Sequence, residues 1–191
     1  WRPAQELDMP CQRYGAAEFS DGRVLALASD CKYGYRLAKG NLYATLINVS
    51  DGPDPYPERG IHKISLYIIP ARASATELAR ETEKCLNPLQ YVTNTIHAGS
   101  LPMTESLMTT LGSTVVFSGV AKREDSLAIR MYETEGKACP VSIGVNWSVD
   151  KALLTDLFGN PLDVPVKVEG RTVELILAPH MQGELRIHKY V

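Results

Sequence analysis

The sequence has little of what a nucleic-acid or membrane protein needs. Its formal net charge is −2, and it contains no run of Lys or Arg residues that would neutralise phosphates. No apolar stretch approaches the roughly 20 residues that cross a bilayer, and no basic segment followed by an apolar run stands at the start. We therefore expect neither nucleic acid nor a membrane as a partner.

Catalytic signatures are also missing. The sequence contains no Gly-x-Ser-x-Gly elbow, no P-loop, no dinucleotide fingerprint and no His-Glu-x-x-His helix. Its 22 Asp and Glu residues are too many for spacing alone to select a catalytic acid and nucleophile. We predict that this chain by itself carries no catalytic centre.

Cysteines are few and widely spaced. They stand at positions 11, 31, 85 and 139, without a Cys-x-x-Cys motif and without a His at metal-ligand spacing. This pattern favours free thiols in a reducing compartment over a disulfide framework, and it predicts no metal site in this chain.

What is present is an ordinary globular composition. Apolar residues make up 45% and charged residues 22% of the 191 residues, which predicts a folded protein with one large domain or two small ones. The chain begins with Trp1 in place of Met. We take this as an indication that it was cut from a longer polypeptide.

Most of the sequence predicts short β-strands separated by turns. Apolar and polar residues alternate in 127–132 and 173–177, which is typical of a sheet with one face in a core. Together with the Gly and Asn turns between strands, this predicts an all-β, mainly antiparallel sandwich fold. Strands are predicted at 24–28, 42–49, 61–69, 115–120, 127–132, 141–147, 164–168, 172–177 and 184–188.

Three segments depart from this strand pattern. Ser74-Ala-Thr-Glu77 resembles a capping box and predicts a helix from 75 to 86, ended by Asn87-Pro88. Segment 151–158 fits either a helical turn or a strand, and we favour a strand. Residues 94–112 have little periodicity and are predicted to connect two β units.

The densest cluster of polar and aromatic residues directly follows the first predicted strand. It reads Ser29-Asp-Cys-Lys-Tyr-Gly-Tyr-Arg36. Its carboxylate, cations and phenols around one Gly form a loop that can hydrogen-bond sugar hydroxyls and offer an aromatic face to a pyranose. The other interpretation is a solvated turn with Tyr33 and Tyr35 packed on the sheet.

A second cluster follows the next strand. Its charged residues are Asp54, Glu58, Arg59 and His62, within a stretch stiffened by three prolines. These side chains either form an ion-paired network, the commoner outcome, or line a cleft.

Five segments, spaced along much of the chain, resemble one enzyme family. The first three are Leu25–Tyr35, Pro53–His62 and Leu86–Leu89, which read LALASDCKYGY, PDPYPERGIH and LNPL. The last two are Val120–Glu133 and Asp156–Leu162. In this order and spacing they look like the C-terminal region of glycoside hydrolase family 38 α-mannosidases of the bacterial and cytosolic type.

The resemblance implies a fold and a place within a larger enzyme. Residues 1–111 would be the end of a galactose-mutarotase-like β supersandwich with one helix, and residues 112–191 a small C-terminal β-sandwich. The enzyme would be a retaining α-mannosidase whose nucleophile and zinc ligands lie in an N-terminal barrel outside this sequence. This chain would buttress that barrel, its partner, in a cytoplasmic enzyme acting on mannosides or oligosaccharides. Homo-oligomerisation of the full-length enzyme stays open.

The resemblance also implies a direct contribution to substrate binding. In related enzymes a loop from the β region reaches the active-site cleft, and the first cluster matches its place. Asp30, Lys32, Tyr33 and Tyr35 would then border the mannose site, with Tyr33 as the main contact. Some relatives carry Arg where this chain has Tyr33, which would change the chemistry of that contact.

Two other functions compete with this interpretation. A non-catalytic carbohydrate-binding β-sandwich module would stack exposed aromatic rings on sugars without acting on them. A purely structural domain would be favoured if Tyr33 and Tyr35 were both buried.

Overall fold

The computed structural model describes residues 7–47, 60–72, 74–95, 98–100 and 102–189. The chain divides into two compact units, Trp1–Leu89 and Gln90–Val191. Antiparallel strands dominate the described parts of both units, which confirms the predicted all-β class. Within the described residues, no helix is both long enough and apolar enough to cross a membrane.

Short strands joined by turns follow one another along the described chain, with one α-helix in the first unit. All the strand pairs that they form are antiparallel. In chain order the elements are β1 (Met9–Pro10), β2 (Tyr14–Glu18), β3 (Arg23–Ala28), β4 (Gly34–Ala38), β5 (Asn41–Ala44), β6 (Tyr67–Arg72), α1 (Ala75–Leu86), β7 (Met108–Leu111), β8 (Val115–Arg123), β9 (Ser126–Glu133), β10 (Cys139–Val145), β11 (Val149–Thr155), β12 (Val166–Glu169), β13 (Thr172–Leu177) and β14 (Gln182–Lys189).

The described part of the first unit contains two three-stranded sheets and the helix. One sheet has the strand order β1-β4-β5 and the other β2-β3-β6. Because side chains alternate across a strand, Val24, Ala26 and Ala28 of β3 share one face. They form a core with Ile69 of β6 and Leu78 of α1. The helix therefore covers one face of the β2-β3-β6 sheet.

The helix begins and ends where the sequence predicts. The Ser74 hydroxyl accepts a 3.2 Å hydrogen bond from the Glu77 amide, which satisfies one of the amides that the first helical turn leaves without a partner. At the other end, the Asn87 amide donates to the Glu83 carbonyl. The observed range Ala75–Leu86 confirms the predicted helix.

The second unit is a sandwich of two four-stranded sheets. Their strand orders are β12-β13-β10-β7 and β11-β14-β9-β8. The inward side chains of both sheets form one apolar core, and burying each such side chain stabilises the unit by about 1.5–3 kcal/mol. Members of this core with almost no solvent exposure are Ile129, Ile143, Val173, Leu177, Leu185 and Ile187.

Most predicted strands are confirmed, including the strand favoured within 151–158, which is the main part of β11. The prediction missed β1, β2, β4 and β7. Strands β2 and β4 are rich in Gly and Ala, which have low strand propensity, and β1 and β7 are too short to show alternation. The prediction of 61–69 was wrong in its first part, because pairing with β3 begins only at Tyr67. In the described part of the predicted strand 42–49, β5 ends already at Ala44.

Strand β7 lies within residues 94–112, which the sequence analysis assigns to a connection. It pairs with β10, with Met108 opposite Val145 and Leu111 opposite Ser142. Part of this segment is therefore a strand of the second unit's sheet, which corrects the assignment of all of it to a connection. The domain boundary between residues 111 and 112 stays a prediction.

A buried carboxylate holds two turns of the second unit together. Glu133, at the end of β9, is 3% exposed and accepts hydrogen bonds of 2.8–2.9 Å from the amides of Glu135, Gly136 and His180. Burial by itself raises the pKa of Glu133, but these hydrogen bonds outweigh it and lower the pKa to about 2. The charged carboxylate is therefore the form that the folded state stabilises.

We predict that Glu133→Gln lowers the free energy of unfolding at pH 7 by about 3 kcal/mol, because folding lowers the pKa of this carboxyl from its ordinary value to about 2. This stabilisation is complete above the ordinary pKa and is lost as the pH falls through the folded pKa. Urea unfolding at pH 7 and pH 3 measures it, and the difference between wild type and variant should shrink at pH 3.

Glu174→Gln, on the exposed side of β13, is the matched control and should change stability by at most about 0.5 kcal/mol. Equal destabilisation by the two variants would contradict the role assigned to Glu133.

Candidate functional site

The candidate site is the connection between β3 and β4, residues 29–33. Its first residue, Ser29, is 1% exposed, and its hydroxyl donates to the Ser65 carbonyl at 3.0 Å and accepts from the Cys31 amide at 3.3 Å. The Ser29 amide donates to the Arg13 carbonyl at 3.0 Å. The start of the loop is therefore held by hydrogen bonds of the Ser29 hydroxyl and of the Ser29 amide.

The end of the loop is held by the Tyr35 hydroxyl. Tyr35 is 2% exposed, and its hydroxyl lies 3.2 Å from the Lys32 carbonyl and 3.3 Å from the Arg13 carbonyl, to which it donates. Burial, followed by the nearby thiols of Cys11 and Cys31, raises the pKa of Tyr35 to about 12. The hydroxyl therefore keeps its proton at neutral pH and remains a hydrogen-bond donor.

Gly15 makes room for the ring of Tyr35. A Cβ added to Gly15 would lie 2.7 Å from the Tyr35 Cβ, closer than the roughly 3.5–4.0 Å at which carbon atoms pack best. The ring therefore packs directly on the backbone of β2. This contact joins β2 and β4, which belong to different sheets of the first unit.

The four predicted site residues fall into two groups. Asp30 and Tyr33 are exposed, with Tyr33 at 58%, and Lys32 is half-buried. Tyr35, in contrast, is a buried anchor under the loop. Tyr33 is thus open to a ligand, but the contact of these residues with a sugar stays a prediction.

A cation–π pair continues the polar surface along β4 and β5. Arg36 stands opposite Tyr43, with its guanidinium carbon 4.8 Å from the ring centre, and Arg36 Nε lies 3.8 Å from the Asp8 carboxylate. Tyr43 is not among the site residues that the sequence predicts. The Lys39-Gly40 turn could have predicted this pair, because a two-residue turn sets the register of a hairpin. Both turn residues have positive φ in the structure.

The groups that this region presents are carboxylates, cations and the phenols of Tyr33 and Tyr43. Such groups hydrogen-bond hydroxyls and pack on the apolar face of a pyranose. Within the described ranges, no three His, Cys, Asp or Glu side chains are grouped as metal ligands. Of the second predicted cluster, only residues 60–62 belong to the described part of the chain, and the rest lies outside it.

The fold and this surface define a β-sandwich region with a polar and aromatic loop. No family model matches the sequence. The chain is 29% identical to alpha-mannosidase G of Dictyostelium discoideum over 119 residues, which are 60% of this chain and 11% of that protein. It is 26% identical to human alpha-mannosidase 2C1 over 147 residues, 73% of this chain and 14% of that protein. The resemblance to α-mannosidases is thereby confirmed, for a chain that spans a small part of these relatives.

We predict that Tyr35→Phe lowers the free energy of unfolding by about 1–2 kcal/mol, because it removes the donor shared by two carbonyls of the loop and its neighbouring turn. Tyr33→Phe, a matched change two residues away on an exposed ring, should stay within about 0.5 kcal/mol. Urea unfolding of both variants measures this, and equal losses would argue against Tyr35 as the anchor.

A second prediction concerns the space under the Tyr35 ring. Gly15→Ala should destabilise the protein by about 1–3 kcal/mol, since the added methyl overlaps Tyr35 and the backbone must shift. Gly119→Ala, in β8, places its methyl in open space and serves as the control in the same unfolding experiment. A Gly15→Ala variant as stable as wild type would show that the two sheets do not depend on this contact.

Proposed function

We propose that this chain is the C-terminal accessory region of a retaining α-mannosidase of glycoside hydrolase family 38, an enzyme that hydrolyses α-mannosides or oligosaccharides containing them. The observation that carries this proposal is the match to two α-mannosidases over 60% and 73% of the chain, within 11% and 14% of their lengths. The order of five family-like segments along the sequence supports it. The catalytic barrel, with its nucleophile and zinc, would lie N-terminal to this region and be its partner.

An exposed apolar face of the first unit supports a buttressing role. The side chains of β3 that face away from the helix are Arg23, Leu25 and Leu27. Leu25 and Leu27 stand opposite Pro70 and Ile68 of β6, and Arg23 stands opposite Arg72 at one end of this face. Ile68 is 72% and Leu25 36% exposed. A row of apolar side chains open to solvent is typical of a surface that another part of the protein covers. We propose that the catalytic barrel covers this face.

The loop of residues 29–33 would contribute one wall of the sugar-binding cleft. Tyr33 and Asp30 are exposed, and Lys32 is half-buried beside them in the chain. The loop backbone is fixed at both ends by Ser29 and Tyr35, so little conformational entropy is lost when a sugar binds. In this arrangement Tyr35 positions the loop, and Tyr33 touches the sugar.

Zinc chemistry in the proposed enzyme belongs to the barrel. There the metal would hold sugar hydroxyls in the subsite where the glycosidic bond breaks, and a carboxylate would form the glycosyl intermediate. This chain's part is to bind and orient the mannoside from one side. We further propose that the enzyme works in the cytoplasm.

A second candidate is a carbohydrate-binding module that acts without the barrel. The observation in its favour is the pair of exposed phenols, Tyr33 at 58% and Tyr43 at 42% exposure. This function predicts that the isolated chain binds mannosides. An accessory region that supplies one wall of a cleft should bind them weakly or not at all.

We predict hydrolysis of an aryl α-mannoside by the full-length gene product and none by the 191-residue chain, each assayed with and without added zinc. Mannoside binding to the chain is measured in parallel by calorimetry. Activity of the chain alone would overturn the accessory role. Tight binding without activity would favour the carbohydrate-binding module.

Tyr33→Phe in the full-length enzyme should lower kcat/KM by roughly tenfold, the effect of losing one hydrogen bond to the sugar in the transition state. Tyr91→Phe is the matched control, because Tyr91 is 90% exposed and lies outside the loop. Kinetics that are the same for wild type and Tyr33→Phe would remove Tyr33 from the cleft.

A further inference from the structure

A buried carboxylate lies on the outer face of the second unit, away from the apolar core. In β14 the side chains alternate, so that Leu185 and Ile187 enter the core and Glu184 and Arg186 lie on the opposite face. Glu184 is nevertheless 3% exposed. Other residues must therefore cover it, and three arginines are among its contacts.

Three guanidinium groups surround the Glu184 carboxylate. Arg130 Nε lies 3.0 Å from Oε2, whereas Arg186 Nε and Arg123 Nε lie 3.3 Å and 4.0 Å from Oε1. Burial by itself raises the pKa of Glu184, but the hydrogen bonds from Arg130 and Arg186 outweigh it and lower the pKa. Three cations thus meet one anion, which leaves a surplus of two positive charges in a protein whose net charge is −2.

Each arginine approaches Glu184 with the Nε edge of its guanidinium group. Each of these contacts is made by Nε, although a guanidinium presents five N–H donors in a fixed plane. The side chains of Arg123, Arg130 and Arg186 are 49%, 46% and 32% exposed. Glu184 therefore contacts all three groups, and each of these side chains is still partly exposed to solvent.

Two carboxylates near the arginines in the chain make contacts of their own. Asp125, in the turn between β8 and β9, lies 3.3 Å from His188 Nδ1. Asp156, after β11, accepts hydrogen bonds of 2.8–2.9 Å from Phe158 and Asn160. The Asp156 carboxylate is thus held within its own loop.

An exposed aromatic ring stands beside the cluster in the chain. The Asp156 hydrogen bonds fix the loop after β11, in which Phe158 is 94% exposed. The next residue, Gly159, approaches the cluster so closely that a Cβ there would lie 2.8 Å from Arg186 Nη2. A fixed loop therefore presents an apolar ring next to a residue in contact with the arginines.

We propose that Arg123, Arg130 and Arg186 form a binding site for an oxyanion group of the phosphate or sulfate class. Planar guanidinium groups match the oxygens of such anions, and three of them with a surplus of positive charge favour an anion over neutral ligands. Phe158 adds an apolar surface for the carbon skeleton of an anion that carries one, such as a phosphorylated sugar. This site shares no residue with the loop of residues 29–33, and the proposal does not depend on α-mannosidase activity.

The test is a titration of the full chain with inorganic phosphate, followed by NMR of the backbone amides and the arginine Nε–H groups, at constant ionic strength set with sodium chloride. We expect saturable shifts at the three arginines. Arg123→Gln should weaken phosphate binding roughly tenfold, the loss of one charge-assisted contact. It is the variant of choice because Arg123 makes the longest contact with Glu184 and the fold depends on it least.

Arg171→Gln is the matched control. It removes the same charge from an exposed position in the turn between β12 and β13, in the other sheet, and should leave phosphate binding unchanged. Shifts that spread over the surface, that chloride reproduces, or that Arg123→Gln leaves intact would overturn the proposal.

A phosphorylated monosaccharide and the same sugar without phosphate distinguish the sources of the anion. Tighter binding of the sugar phosphate than of inorganic phosphate supports a site for a phosphorylated sugar in which Phe158 takes part. Equal binding supports a site for the free anion alone. Binding of the neutral sugar as tight as that of its phosphate would contradict an oxyanion site.

Discussion

A buried polar atom without a hydrogen-bond partner costs free energy, and this cost shapes two irregular parts of the chain. In the first unit the Ser29 and Tyr35 hydroxyls satisfy carbonyls of three separate segments. In the second unit the Glu133 carboxylate satisfies amides of two turns. The sheets supply the stabilising apolar area, but these few polar side chains determine where the loops between the sheets run.

The same constraint explains why the candidate loop suits recognition. A loop held only by its own flexible backbone would lose conformational freedom whenever a sugar ordered it. Here the anchors are buried beneath the loop, and Tyr33 and Asp30 extend into solvent from a fixed backbone. Such a division between buried anchors and exposed contacts is how a β region outside a catalytic domain can contribute to a cleft without carrying reactive groups itself.

Glu184 shows a different solution to the same problem. A buried carboxylate is costly unless it is paired and hydrogen-bonded, and three arginines from β8, β9 and β14 supply more charge than it needs. The excess positive charge lies on the outer face of this sheet, whereas the side chains of its inner face form the apolar core. In the proposed site the two faces of one sheet would serve packing and anion recognition separately, because alternate side chains of a strand point in opposite directions.

The sequence by itself determined the all-β class, the helix with its cap, most strands and the likeness to α-mannosidases, because periodicity, turn residues and capping are local properties. It did not predict that Tyr33 is exposed and Tyr35 buried, although both flank the same glycine. Nor did it predict that Arg123, Arg130 and Arg186 meet at Glu184. Strands β1, β2, β4 and β7 were also not predicted from the sequence. Only the tertiary structure decided these points, since the burial of a side chain depends on which strand pairs beside it and which sheet packs above it, and those partners lie far away in the chain.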